Sequence, residues 1–345
     1  MKRRTWLRLA SGGLVSLPLA GCGLDLMASS GDNLTIYGAR PEAITEGVIA
    51  AFEESHPHWR GKVRVLTMGA QDVLARIGAE KARPQADIWW GGTPQQFEQA
   101  VADELLTPAA RDVVEAIPAE FRGEDNLWLG EMRVVQMIFY NPEMLTPDQA
   151  PRDWDDLIRP EHRGNILIRD VASSGTMRGI FCAMIWREGQ PDGDPGPGYE
   201  WLRQLDANTK AYTANPTDLY LRVNRQEAAI SVWNLQDTLV QRDLGMAMEP
   251  VIPSSGAPML MDGVGKVRGG PNSKGADEFL RFLLSSDVQQ GLADDFFQYP
   301  TIPLERTPQW LADLEVTEMP VDWDEVNRHQ DEWFEYWAEN IQGRG

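Results

Sequence analysis

Between residues 34 and 105 the chain repeats one pattern three times: a short apolar run, a turn, then a stretch with helical spacing. Residues 34–37 (LTIY) end in Gly38-Ala39-Arg40-Pro41, and Ile44, Val48, Ile49 and Phe52 of the following helix fall on one face. Residues 62–68 alternate as a second strand before a helical stretch at 73–81. Residues 86–90 (ADIWW) run into Gly91-Gly92-Thr93-Pro94 and open a helix over 95–105. Strands alternating with helices predict an α/β fold, a mostly parallel sheet with helices on both faces. In such sheets ligands gather at the carboxyl ends of the strands, where residues 38–40 and 91–93 sit.

The pattern returns at residues 165–181 (NILIRDVASSGTMRGIF). Ile166, Leu167 and Ile168 are of strand type, Asp170, Ser173, Ser174, Gly175 and Thr176 form a polar turn, and residues 180–186 continue as an apolar helix. A helix opening there leaves N–H groups pointing outward, beside hydroxyls and the positive end of the helix dipole. The motif alone reads either as a serine cap or as an anion site. Further strands are expected at 134–140, leading to Asn141-Pro142, and at 228–233 (AAISVW), leading to Asn234-Leu235-Gln236. In the acidic, aromatic tail, Val326, Trp333, Trp337 and Ile341 share one helical stripe, expected to dock on the protein's own surface.

The N-terminus is of another kind. Lys2, Arg3, Arg4 and Arg8 precede a short uncharged apolar segment that ends in Leu19-Ala20-Gly21-Cys22. This is an export signal, too short to span a membrane as a helix. Its end resembles a bacterial lipobox, which makes Cys22 the lipidated N-terminus of the mature chain. Residues 3–8 (RRTWLR) also resemble a twin-arginine motif. Removing residues 1–21 takes the formal net charge from −20 to −24. So acidic a surface argues against nucleic acid as a partner. With Cys22 lipidated, Cys182 has no disulfide partner and reads as a buried small hydrophobe.

Four segments carry a family resemblance: LTIYGARPEAITEGVIAAFEE, ADIWWGGTPQQFEQAVADELL, FYNPEML and GAPMLMDGVGKVRGGPNSKGADEFLRFLLSSDVQQGL. They resemble the extracellular solute-binding proteins of ABC importers, in the branch containing ferric-ion-binding and thiamine-binding proteins, over most of residues 33–305. The resemblance implies a two-lobed α/β periplasmic-binding-protein fold with a hinged interlobe cleft that holds the ligand. Mapped onto this chain, residues 1–21 are the signal peptide and 22–32 a tether. Residues 33–132 plus 254–305 form the first lobe and 136–250 the second. The helical tail 306–345 is expected to pack on the first lobe. The implied protein is a monomer without a cofactor, lipid-anchored in the periplasm or cell envelope. It hands a small solute to a permease/ATPase complex.

Ferric-binding members place a histidine after the first strand and adjacent tyrosines after a later one, anionic oxygen donors that suit a hard ion. Here the first turn has no histidine, and none of the seven tyrosines are adjacent. His56 and His58, in SHPHW, sit at a helix-ending turn and read as surface residues, so no metal site is expected. An organic anion, phosphorylated or carboxylated, suits the remaining candidates. Arg40 can pair bidentately with it or be a surface arginine. Gly38, Gly91, Gly92 and Thr93 offer close backbone approach or an ordinary turn and cap. Trp90, Trp128 and Trp233 can stack on a ring or belong to the core. Asn234, Gln236 and Glu131 can meet polar groups of the ligand. Within the family frame Ser173, Ser174, Gly175 and Thr176 become the leading ligand contact. A ferric-ion or thiamine-type receptor is the alternative. Four histidines, with no nucleophile elbow and no Walker loop in the sequence, argue against an enzyme.

Overall fold

Alternating apolar residues become buried strands where each side chain finds a helix to cover it. The computed structural model describes residues 32–190 and 192–344. The expected export segment, residues 1–21, and the expected lipidation site Cys22 lie outside them. In chain order the structure runs β1 (Leu34–Gly38), α1 (Glu42–Ser55), β2 (Val63–Thr67), α2 (Ala70–Ala79), β3 (Ile88–Trp90) and α3 (Pro94–Ala102). Then come β4 (Leu106–Thr107), α4 (Arg111–Ala116), β5 (Trp128–Tyr140), β6 (Ile166–Arg169), α5 (Gly175–Glu188) and α6 (Gly196–Asn208). They are followed by β7 (Thr209–Thr213), α7 (Pro216–Asn224), β8 (Ile230–Asn234), α8 (Leu235–Asp243), β9 (Glu249–Val251) and β10 (Met259–Val267). The chain closes with α9 (Ser273–Leu283), α10 (Ser286–Phe296), β11 (Tyr299–Pro300), α11 (Gln309–Leu314) and α12 (Trp323–Asn340).

Two compact units divide the chain. One runs up to Gly130 and takes in Gly263–Asp295; the other comprises Glu131–Asp262 and the chain from Phe296 onward. In the first unit β1 pairs in parallel with both β2 and β3, and β10 joins β3 antiparallel, with Gly265 opposite Trp89. Trp89 and Trp90 point to opposite faces, as strand alternation requires. Trp89 stacks on Phe97 at 4.2 Å between centroids, and Phe97 on Trp128 at 5.3 Å. Trp90 meets Phe279 edge-on at 5.9 Å. Asp87, buried just before β3, accepts the Thr35 N–H at 2.8 Å and also the Asn272 N–H, tying β1 to the start of α9. Burial raises its carboxyl, and the two N–H donors oppose that shift.

In the second unit β5 pairs antiparallel with β8 and β9, while β6 lies parallel to both β7 and β8. Helix α5 buries Met177, Ile180, Phe181, Cys182, Ala183, Met184 and Ile185, nearly its whole circumference. A helix apolar all round needs cover on more than one side. One cover is α6, where a Cβ on Gly198 would lie 2.4 Å from the Ile185 Cα, so only glycine permits the approach. The other is α12, whose Val326, Trp333 and Trp337 are buried, along with Ile341 just past its end. Trp337 sits edge-on to Phe181 at 5.2 Å, and the Arg178 guanidinium lies 3.9 Å from the Phe334 centroid. Burial pushes the Cys182 thiol up to about 12.

The tail expected on the first lobe therefore packs on the second unit, because α5 leaves an apolar face that the Trp333/Trp337 stripe fits. The expected boundary at 254 also moves. Residues 254–262 stay with the second unit, where the Trp154 indole N–H donates to Gly256 O at 2.9 Å and Ala257 exchanges backbone bonds with Thr317 and Met319. Residues 296–305 belong there too, since β11 pairs with β5 at Met132 and Arg133. No helix among the described residues is long and apolar enough to cross a membrane.

Candidate functional site

The first unit gathers its candidates where β1 and β3 end. Ala39 N–H donates to Trp90 O at 2.9 Å, which holds the two strand exits side by side. Gly91 has a φ of +95°, and a Cβ there would lie 3.1 Å from the Arg40 Cδ and 3.3 Å from the Ala39 carbonyl carbon. Glycine is thus needed twice over, for its conformation and for the close passage of Arg40. Arg40 is 5% exposed, a buried arginine instead of a surface one. A Cβ on Gly92 would lie 2.9 Å from the Trp89 ring, whose N–H donates to Gly91 O at 2.7 Å. Thr93 N–H is met by Gln96 Oε1 at 3.0 Å, a capping arrangement for α3. Gly38, Arg40, Gly91, Gly92 and Thr93 thus come together. Trp90 stands behind them, fully buried in the core, and is not placed to stack on a ligand.

In the second unit the parallel strands β6, β7 and β8 end at Arg169, Thr213 and Asn234. Asp170 turns back on the chain: its Oδ1 accepts the Ser173 N–H at 3.0 Å and also the Ser173 hydroxyl. Ser174 caps α5, its hydroxyl accepting the Met177 N–H at 3.2 Å. Gly175 is exposed and Thr176 half-buried, and as the first residues of α5 their N–H groups have no intrahelical acceptor. One residue here escaped the motif. Arg169 ends β6 and donates from Nη1 to Ser173 Oγ at 2.9 Å and to Asp170 O and Thr213 O at 3.3 Å. The only signal in the sequence was a basic residue closing an apolar strand.

The β8 exit is more committed to its own structure than expected. Trp233 is 5% exposed and its indole N–H donates to Asp237 Oδ2 at 3.0 Å. Asn234 caps α8, accepting the Asp237 N–H at 2.8 Å, and its amide donates to the same carboxylate. Tyr220 OH also donates to Asp237 Oδ2, at 3.1 Å. Burial first, and then Asp237, push the Tyr220 phenol well above the usual tyrosine range. Gln236 donates to Phe296 O at 2.9 Å. Glu131, expected to meet a ligand hydroxyl or amine, is fully buried and accepts the Gln298 amide at 2.7 Å. Trp233, Asn234 and Glu131 are therefore held by protein partners, because burial obliges each polar group to find one.

His58 and His56 approach Glu278 Oε1 through Nε2 at 3.1 Å and 3.8 Å. Among the described residues no group of three or more His, Cys, Asp or Glu is placed to hold a metal ion.

The sequence profile described as "Bacterial extracellular solute-binding protein" matches residues 84–329. The chain belongs to this family. A Sinorhizobium fredii relative named as a probable ABC transporter periplasmic-binding protein is 25% identical over 318 residues, covering 88% of this chain and 85% of its own. The ferric binding protein from Campylobacter jejuni superposes with a TM-score of 0.75 at 21% identity, over 89% of this chain and 99% of its own. The periplasmic binding protein AfuA from Actinobacillus pleuropneumoniae, with fructose 6-phosphate bound, gives a TM-score of 0.71 at 25% identity, over 90% and 98%. The fold of this solute-binding protein is accordingly the two-lobed α/β fold of periplasmic binding proteins. Its family is one of solute capture, not of catalysis.

Proposed function

We propose that this solute-binding protein is the receptor of an ABC importer, capturing a small phosphorylated or carboxylated organic molecule for delivery to a permease/ATPase complex. The carrying observation is the β6–α5 turn, where the opening N–H groups of α5 stand beside Arg169 and Ser173 at the carboxyl end of parallel strands. In the first unit Arg40, beside Gly91 and Thr93, offers a second place of the same chemistry. The fructose 6-phosphate held by the Actinobacillus relative is a solute of this class. The chain acts as a monomer without catalysis, bound to the envelope through lipid on Cys22 alone.

A ferric-ion receptor is the second reading, favoured by the likeness to the Campylobacter protein. Against it stands the sequence, in which the first turn has no histidine and none of the seven tyrosines are adjacent. A thermal-shift screen separates the two. A true ligand at about a hundred times its dissociation constant adds roughly 2.7 kcal/mol. Sugar phosphates, phosphonates and dicarboxylates are expected to raise the melting temperature. Silence from all three, with a rise on adding ferric ion, would overturn the anion assignment.

A further inference from the structure

Arg169 is a buried cation whose ion pair with Asp170 is long and whose Nε has no acceptor among the described residues. Its side chain is nine-tenths buried, and the nearest carboxylate oxygen, Asp170 Oδ1, lies 3.8 Å away, beyond hydrogen-bond range. That oxygen is already taken by the N–H and hydroxyl of Ser173. The three acceptors that Arg169 does reach, Ser173 Oγ, Asp170 O and Thr213 O, are neutral and all fall on Nη1. Nε is buried with no acceptor among the described residues. A buried cationic donor without a partner is costly, and its cost is recovered when an anion supplies the missing oxygen. The Nε edge of a guanidinium is also one side of the fork that fits carboxylate and phosphate oxygens.

The side chain is held by Ser173 at the mouth of α5, whose Gly175 and Thr176 N–H groups have no intrahelical acceptor. A strand-end cation and a helix N-terminus thus offer donors to the same small region. We infer that Arg169 is a ligand-binding residue that selects a tetrahedral oxyanion, the phosphate or phosphonate of a small organic solute, over a carboxylate. A phosphate presents at least three oxygens and up to two negative charges to Arg169 and the α5 N–H groups together; a carboxylate presents two oxygens and one charge, and so reaches fewer of these donors at once. This rests on the anion-binding reading above.

The test is calorimetric titration of the parent protein, R169Q and R169K with fructose 6-phosphate, inorganic phosphate and acetate, beside urea unfolding of each unliganded protein. The parent is expected to bind fructose 6-phosphate more tightly than inorganic phosphate, and both more tightly than acetate. R169Q is expected to lose tenfold or more in affinity for both phosphates, about 1.4 kcal/mol per decade, with acetate little changed. R169K, with the charge but not the fork, is expected to recover only part. Should R169Q bind phosphate like the parent while unfolding at lower urea, Arg169 is a structural tie between β6 and β7 and the inference fails, though the anion reading survives. Should the parent bind none of the probes, both fail together. Tighter binding of inorganic phosphate than of the sugar phosphate overturns the organic part. If R169Q does not fold, R169K decides, and phosphate affinity equal to the parent's overturns the inference.

Discussion

Ser174 accepts the Met177 N–H through its hydroxyl oxygen, which caps α5 and stabilises it. Ser174→Ala is expected to cost about 1 kcal/mol in urea unfolding, with little effect on anion affinity. An affinity loss at unchanged stability would return Ser174 to the ligand. Gly91 carries a different constraint. Gly91→Ala forces an L-residue to a φ of +95° and sets its Cβ against Arg40 and backbone. We expect a loss of about 1–3 kcal/mol in the same measurement; a neutral Gly91→Ala would mean that Arg40 is free to move aside. At this scale the candidate list was legible in type but not in use. Trp90, Trp233, Asn234 and Thr93 sit near strand ends as expected, yet sequence position cannot say whether a tryptophan faces Phe279 or a ligand. Asp237 takes up Trp233, Asn234 and Tyr220, and nothing local announces that convergence.

Elements show the same division. The α5 sequence is apolar on every side, which already demanded cover from two directions. The amphipathic stripe of α12 announced a docking face without naming its partner. Trp337→Ala, emptying the space beside Phe181 and Tyr212, is expected to destabilise by roughly 3–5 kcal/mol. An effect below 1 kcal/mol would show that α12 is not integral to the second unit. Asp153 ties the 254–256 segment to the turn at 153–156 by accepting from the Ser254 and Ser255 hydroxyls and from the Trp154 N–H. Burial alone would raise its carboxyl; those donors, with Arg187, outweigh burial and lower it below 3.8. A depressed carboxyl stabilises the fold fully above its unfolded value and loses that contribution as pH falls through the lower folded value. The stability gap between parent and Asp153→Asn is therefore expected to hold at neutral pH and to close below about pH 3.8. A gap independent of pH would mean the tie is not electrostatic.

For the whole molecule, Cys22→Ala should move the protein from the membrane fraction to the soluble one; retention in the membrane would count against lipidation. Alternating strand and helix periods determined the α/β class, because each period is set by local backbone geometry and needs no distant partner. Net charge, and the Leu19-Ala20-Gly21-Cys22 run that resembles a lipobox, were likewise present in the sequence as plain composition and order. Only the tertiary structure decided that the tail belongs to the second unit, that residues 254–262 stay beside Trp154, and that Arg169 stands at the mouth of α5. Each depends on which surfaces meet across long stretches of chain, as when Thr213 and Ser173 converge on one guanidinium. A strand ending in ILIR reads as a solvated arginine until the neighbouring strand and the next turn close over it. Burial is a property of those neighbours, and burial makes the arginine worth testing.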